Sequence, residues 1–206
     1  MTSETPSTPT ASPIIHGELV YLRPSERSDL DRFVRWFNDA DTIRNLAARG
    51  PMGRELEERW FESMLERQGK RDFQFVICLR ADGRAIGTTG LHRIDMEAGS
   101  AVFGIVIGEE TDRGKGYGTD ALNAICDFGF GELRLERIYL DVFADNARGQ
   151  RSYAKAGFVL EGTQRRAHFT DGDFVDVHRM SLLRGEWLAR RGASRPGHTG
   201  QGSGGR

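Results

Sequence analysis

Gly108-Glu109-Glu110-Thr111-Asp112-Arg113-Gly114-Lys115-Gly116-Tyr117-Gly118 is the stretch on which the fold turns. It follows Ser100 to Ile107, where Ala101, Phe103, Ile105 and Ile107 fall on one face and Val102 and Val106 on the other, the pattern of a central strand covered on both sides. It leads into a helix over about Gly118 to Phe130. A glycine-rich turn between a buried strand and a helix gathers backbone N–H groups and the positive end of the helix dipole at one spot, which suits an anion and phosphate above all. Two well-known phosphate motifs fail on spacing. The NTPase loop needs four residues between its first Gly and a Gly-Lys pair followed by Ser or Thr, whereas five separate Gly108 from Gly114-Lys115 and Gly116 follows. The dinucleotide fingerprint is G-x-G-x-x-G, and Gly114, Gly116 and Gly118 form G-x-G-x-G. A different phosphate ligand, or a turn with no ligand, remains.

Outward from this turn the periodicity alternates. Leu19 to Leu22 makes a short strand, Ser28 to Phe37 a helix, and Arg54 to Gln68 a second helix after a pattern-breaking loop from Asn38 to Gly53. Phe73 to Arg80, Arg84 to Ile94 and Ser100 to Ile107 are joined by short turn-rich links and predict an antiparallel meander. Beyond the glycine turn and its helix, a strand at Arg137 to Phe143 and a helix at Ala147 to Ala156 imply parallel pairing across the sheet. Strands at Phe158 to Glu161, Thr163 to Phe169 and Phe174 to Leu183 close the pattern, the last two as a hairpin about Asp171-Gly172. One domain is expected over residues 14–190, between flexible tails at 1–13 and 191–206 that are rich in Gly, Ser, Thr and Pro.

Composition excludes several classes. A net charge of −1 over 206 residues offers no field to hold a nucleic acid or a membrane surface. The longest apolar runs are far short of the roughly 20 residues that span a bilayer, and the N-terminus lacks the basic start and apolar stretch of a secretory signal, so the cytoplasm is the expected compartment. Cys78 and Cys126 suit small buried hydrophobes, and the five histidines show no helical i, i+4 pair, so no metal site is expected.

A second motif lies one strand after the glycine turn: Asn146-Ala147-Arg148-Gly149-Gln150-Arg151-Ser152-Tyr153-Ala154-Lys155-Ala156-Gly157-Phe158. Arg113-x-x-Gly116-x-Gly118 resembles the coenzyme A pyrophosphate loop of the GNAT N-acetyltransferase superfamily, and the second stretch resembles that superfamily's N-x(6)-Y-x-K-x-G-F segment in the expected place. Leu22-Arg23-Pro24, Ile86-Gly87 and Asp176 to Leu183 are similar to the RimJ/RimL branch and to spermidine acetyltransferases, and the resemblance covers about residues 16–188.

The resemblance implies an α+β fold (α/β by looser criteria) with a mostly antiparallel sheet of about seven strands, helices on both faces, and a central splay between the 101–107 and 137–143 strands. It implies acetyl-CoA as co-substrate without a metal, and direct attack of a primary amine in a ternary complex. Ile105, Val106 and Ile107 would then bond the pantetheine arm and acetyl carbonyl. Arg113, Gly114, Lys115, Gly116, Tyr117, Gly118 and Thr119 would clasp the diphosphate. Asn146 would hold the pantetheine arm or cap its helix. Tyr153 would be the general acid, since a phenol of pKa ~10 matches a leaving thiolate. For the base, His92 is the titrating group near neutrality on the central strands, with Asp141 and Glu109 as weaker candidates and a water chain as the alternative. Gly104 reads as a bulge or close approach beside the pantetheine edge.

The acceptor stays open among protein N-termini, aminoglycoside-like compounds, amino sugars, amino acids and polyamines. Gly90, Arg93 and Val102 stand where a polyamine pocket would want carboxylates, which counts against a polycation. Arg44, Arg49 and Arg54 flank the loop over the acceptor side. A homodimer is compatible with the branch, though no residue fixes it. The rival to an enzyme is a non-catalytic acyl-CoA-binding or regulatory domain of the same fold.

Overall fold

The computed structural model describes residues 15–46, 51–170 and 172–194. Eight strands form one sheet in the order β1-β2-β3-β4-β5-β6-β8-β7. They are β1 (Ile15–His16), β2 (Val20–Pro24), β3 (Phe73–Leu79), β4 (Ala85–Asp95), β5 (Ser100–Ile107), β6 (Arg137–Phe143), β7 (Val159–Thr170) and β8 (Asp173–Leu183). Helices α1 (Leu30–Phe37), α2 (Ala40–Ile43) and α3 (Arg54–Arg67) precede β3. Helix α4 (Tyr117–Gly131) follows β5, α5 (Ala147–Lys155) follows β6, and α6 (Arg184–Ser194) ends the described chain. This is the mixed, mostly antiparallel sheet that the meander and the β-α-β run predict.

Every neighbouring pair is antiparallel except β5 and β6, which run parallel and meet only at Ser100–Arg137, Ala101–Ile138 and Val102–Tyr139. From Phe103 onward β5 has no strand partner on that side among the described residues, so the sheet is split at its centre. One sheet face buries Leu91, Phe103 and Ile138 against Ile125 and Phe130 of α4. The other buries Val76 and Cys78 against Phe33 and Trp36 of α1. The central strands therefore divide their side chains between two hydrophobic layers. Cys78 and Cys126 are free and buried.

A carboxylate ties the sheet edge to α4. Asp120 accepts the backbone N–H groups of Glu18, Leu19 and Val20 at 2.7–3.0 Å. Asp120→Ala removes the acceptor of three donors around the turn into β2. The expected loss is about 2 kcal/mol of unfolding free energy, read as a lower urea midpoint at unchanged slope.

Three details differ from the sequence reading. The stretches 158–161 and 163–169 are one strand, because Gly162 is absorbed as a register shift and not as a turn. The break at 38–53 contains a one-turn helix, α2, capped by Asp39, whose carboxylate accepts the Thr42 N–H at 2.8 Å. The chain past residue 191, expected as tail, continues as α6 to Ser194, anchored by Trp187 on Phe130 and by its indole N–H on Asp127 at 2.7 Å. The tails at 1–13 and 195–206 lie outside the described residues.

Candidate active site

The split in the sheet opens into a cavity of about 390 Å³ between β5, the glycine turn, α2 and α5. Along its edge the backbone N–H groups of Ile105 and Ile107 have no strand partner among the described residues. The Gly108 N–H donates to Ile86 on β4 at 2.9 Å, so strand alternation turns the polar groups of Ile105 and Ile107 the other way, into the split. In the glycine turn Gly114 and Gly116 take φ of 75° and 88°, left-handed values that a side chain would strain. Gly116 caps α4, whose first backbone bond runs from the Asp120 N–H to the Gly116 carbonyl. The N–H groups of Tyr117, Gly118 and Thr119 precede that bond and lack a helical acceptor. The turn is braced by Asp112, buried and held by both guanidinium nitrogens of Arg84 at 2.7 and 2.8 Å. The pair keeps the Asp112 carboxyl below the usual carboxylate range.

On the α5 side, Asn146 caps the helix through its carbonyl oxygen, which accepts the Gly149 N–H at 2.9 Å, and lines the cavity as well. Tyr153 also lines it, with its ring edge-on to Phe103 at 6.2 Å between centroids. Burial pushes the phenol up to about 12, and the positive charge of Arg148 acts in the opposite direction.

Residues 20–159 match the Acetyltransferase (GNAT) domain model, more than half of the chain. The chain belongs to the GNAT acetyltransferase family. It is 33% identical over 171 residues to the spermidine N(1)-acetyltransferase of Vibrio cholerae serotype O1, covering 82% of this chain and 95% of that protein. It is 28% identical over 130 residues to the L-amino acid N-acetyltransferase AaaT of Escherichia coli K12, covering 62% of this chain and 77% of that one. The crystal structure of the Vibrio cholerae spermidine N-acetyltransferase in complex with CoA and spermine superposes with a TM-score of 0.77 at 27% identity, covering 82% of this chain and 98% of that one.

Within this GNAT domain the expected donor residues converge unevenly. Ile105, Val106, Ile107, Arg113, Gly114, Gly116, Gly118, Thr119, Asn146 and Tyr153 all line the cavity. Lys115 and Tyr117 do not: Lys115 is exposed and the Tyr117 ring packs on the core. The Arg113 guanidinium turns inward and donates to Thr42 Oγ1 at 2.7 Å and to the Ile107 carbonyl at 3.3 Å, so its side chain braces α2 against the turn.

His92 is not on the cavity wall. It lies on β4 with its ring over Gly104, where an added Cβ would stand 3.4 Å from it. Gly104 pairs in register with Gly90 and carries no bulge; its lack of a side chain leaves room for the imidazole. Alternation along β5 puts Gly104 and Phe103 on opposite faces, so His92 and Tyr153 flank the split from opposite sides. Burial lowers the His92 pKa; Asp72 opposes this, and Arg67 and Arg93 add to it. The other base candidates are engaged: Asp141 is held bidentately by Arg179, and Glu109 accepts from the Trp36 indole and Arg35. Arg54 pairs with Asp31 and Glu58, Arg44 lies 3.9 Å from Asp41, and Arg49 is outside the described residues.

Sequence reasoning missed Asp41 and Thr42 of α2 and Asn45 and Leu46 in the turn after it, which wall the cavity. The available signal was local: Asp39 three residues before Thr42 is an N-cap spacing.

Proposed function

We propose that this chain moves the acetyl group of acetyl-CoA to a primary amine by direct attack, with Tyr153 as general acid and His92 as base. One observation carries the reading: a free strand edge, a turn of unsatisfied amides and a half-buried phenol open into a single cavity. The amides of Gly114 to Thr119 would hold the diphosphate, and those of Ile105 and Ile107 would bond the pantetheine arm and the acetyl carbonyl. The amine nitrogen forms the new C–N bond, the C–S bond breaks, and Tyr153 gives its proton to the departing sulfur. The proton lost by nitrogen passes to His92, directly or through water.

Spermidine and spermine head the amines to be tried, because relatives are named for spermidine acetylation and, among the described residues, the Asp41 carboxylate on the wall has only a long contact with Arg44. The RimJ/RimL likeness of 176–183 keeps peptide N-termini on the same panel. A homodimer fits the long exposed edge strand β7, which displays Val159 and Leu160. The test is thiol release from acetyl-CoA across polyamines, amino acids, amino sugars, aminoglycosides and peptides. CoA binding with no release from any amine would favour the non-catalytic reading.

The base has its own signature. A His whose folded pKa is depressed below 6.5 stays neutral at pH 7, and the activity and stability that depend on its neutral form fall only as pH drops through and below that value. The wild-type acid limb of kcat/KM is therefore expected below 6.5. His92→Gln should remove that limb and lower the plateau about tenfold, less than the ~10²-fold or more of an obligatory base because water can relay the proton. An unchanged limb would discharge His92 from the role.

A further inference from the structure

We propose that Asp72 is a positioning residue for this transfer: its carboxylate turns the His92 imidazole so that Nδ1 carries the proton and Nε2 faces the split. The inference rests on the reading of His92 as the base. Asp72 is buried just ahead of β3, and its Oδ1 stands 3.9 Å from His92 Nδ1, within ion-pair reach. The other edge of the ring lies over β5, where a Cβ built on Gly104 would be 3.4 Å from both Cδ2 and Nε2. Gly90, the register partner of Gly104, leaves room under Cε1, which a Cβ there would meet at 3.1 Å. The half-buried imidazole thus reaches from the carboxylate to the strand that parts from β6 after Val102.

The backbone around His92 is shaped to the same end. Arg93 takes a φ of 49°, a left-handed value uncommon for a residue with a side chain, and the register of β4 on β5 shifts between His92 and Asp95. Asp72 holds this irregularity. Its Oδ1 accepts the Arg93 N–H at 3.0 Å, while the Arg71 carbonyl accepts the Ile94 N–H at 2.8 Å. Its Oδ2 accepts from Arg67 Nε at 2.6 Å, which ties the carboxylate to the end of α3. One side chain therefore sets both the strand that carries His92 and the charge that Nδ1 meets. A proton on Nδ1 leaves the Nε2 lone pair for the amine. As nitrogen bonds the acetyl carbon its proton goes to Nε2, and the imidazolium so formed is balanced by Asp72, which stays ionised. Among the described residues the charged groups around the ring are Asp72, Arg67 and Arg93. Strand β5 faces it with Val102 and Gly104, neither of which titrates.

The test joins Asp72→Asn, which removes the charge and keeps the outline, to His92→Gln in a double-mutant cycle, with thermal melting to confirm folding. Turnover uses acetyl-CoA and the best amine of the panel. Asp72→Asn is expected to lower kcat about fivefold with KM for acetyl-CoA within about twofold, and to add nothing in the His92→Gln background. Because the carboxylate favours the imidazolium, its loss should move the His92 titration midpoint, followed by NMR, about one pH unit further to the acid side, and the acid limb of kcat/KM with it. Imidazole nitrogen shifts of the wild-type protein give a reading that holds even if Asp72→Asn melts early: at neutral pH, His92 should carry its proton on Nδ1, its signals assigned by their absence from His92→Gln. A proton on Nε2, or an unmoved midpoint in Asp72→Asn, overturns the proposal. If His92→Gln keeps full kcat, the base assignment itself fails and this inference with it. If His92→Gln loses kcat while Asp72→Asn keeps both kcat and the midpoint, only the present inference fails.

Discussion

Tyr153→Phe is expected to lower kcat about 10²–10³-fold while CoA affinity stays within about twofold, measured by thiol release and by calorimetry on the same preparation. The change deletes one oxygen and keeps the ring, so the edge-on contact with Phe103 and the packing beside Phe158 survive. The Tyr153 hydroxyl has no hydrogen-bond partner among the described residues, so its loss orphans no neighbour and stability should not fall. What disappears is the proton that a departing thiolate needs. Because burial holds the phenol near 12, it stays protonated across the working pH range, so the acid should impose no alkaline limb below about pH 10. A variant with wild-type kcat would mean that water or another donor protonates the sulfur.

The features legible in the sequence are those whose cause is local. Gly114 and Gly116 announce left-handed turns, and the two faces of 101–107 announce a central strand; both follow from the local sequence. The split between β5 and β6 is legible only through family likeness, because nothing in either strand alone says that pairing stops after Val102. Helix α6 escapes notice because Gly185 and Gly192 depress its helix propensity, and its stability comes from Trp187 docking on Phe130 and Asp127, contacts distant in sequence. The α2 wall escapes for a related reason: four residues are too few for a helical period, and the segment is held from outside by Arg113 and by the bond from Thr42 to the Gly108 carbonyl. His92 is the instructive partial case. Its chemistry is readable, but its place on the face opposite Tyr153 depends on the register that sets Gly104 beside it.

Gly118→Leu is expected to weaken CoA binding at least about 100-fold, roughly 2.7 kcal/mol, while the apo protein melts near the wild-type temperature. Gly118 has no left-handed backbone, and a Cβ built there would meet the Ile107 and Ile105 side chains only at 3.8 and 3.9 Å, ordinary contact distances. Packing therefore does not demand glycine at this position. The cavity does: a leucine side chain would extend from the first turn of α4 over the strand edge, into the space between the unsatisfied amides and the groups that bond the pantetheine arm. Gly116→Val supplies the contrasting case. At φ 88° a β-branched residue is strained whatever the space around it, so that variant should lose both affinity and stability. If calorimetry instead showed CoA binding to Gly118→Leu with unchanged affinity, the diphosphate and pantetheine arm could not run past the first turn of α4. The glycines of this turn would then serve only the connection between β5 and α4.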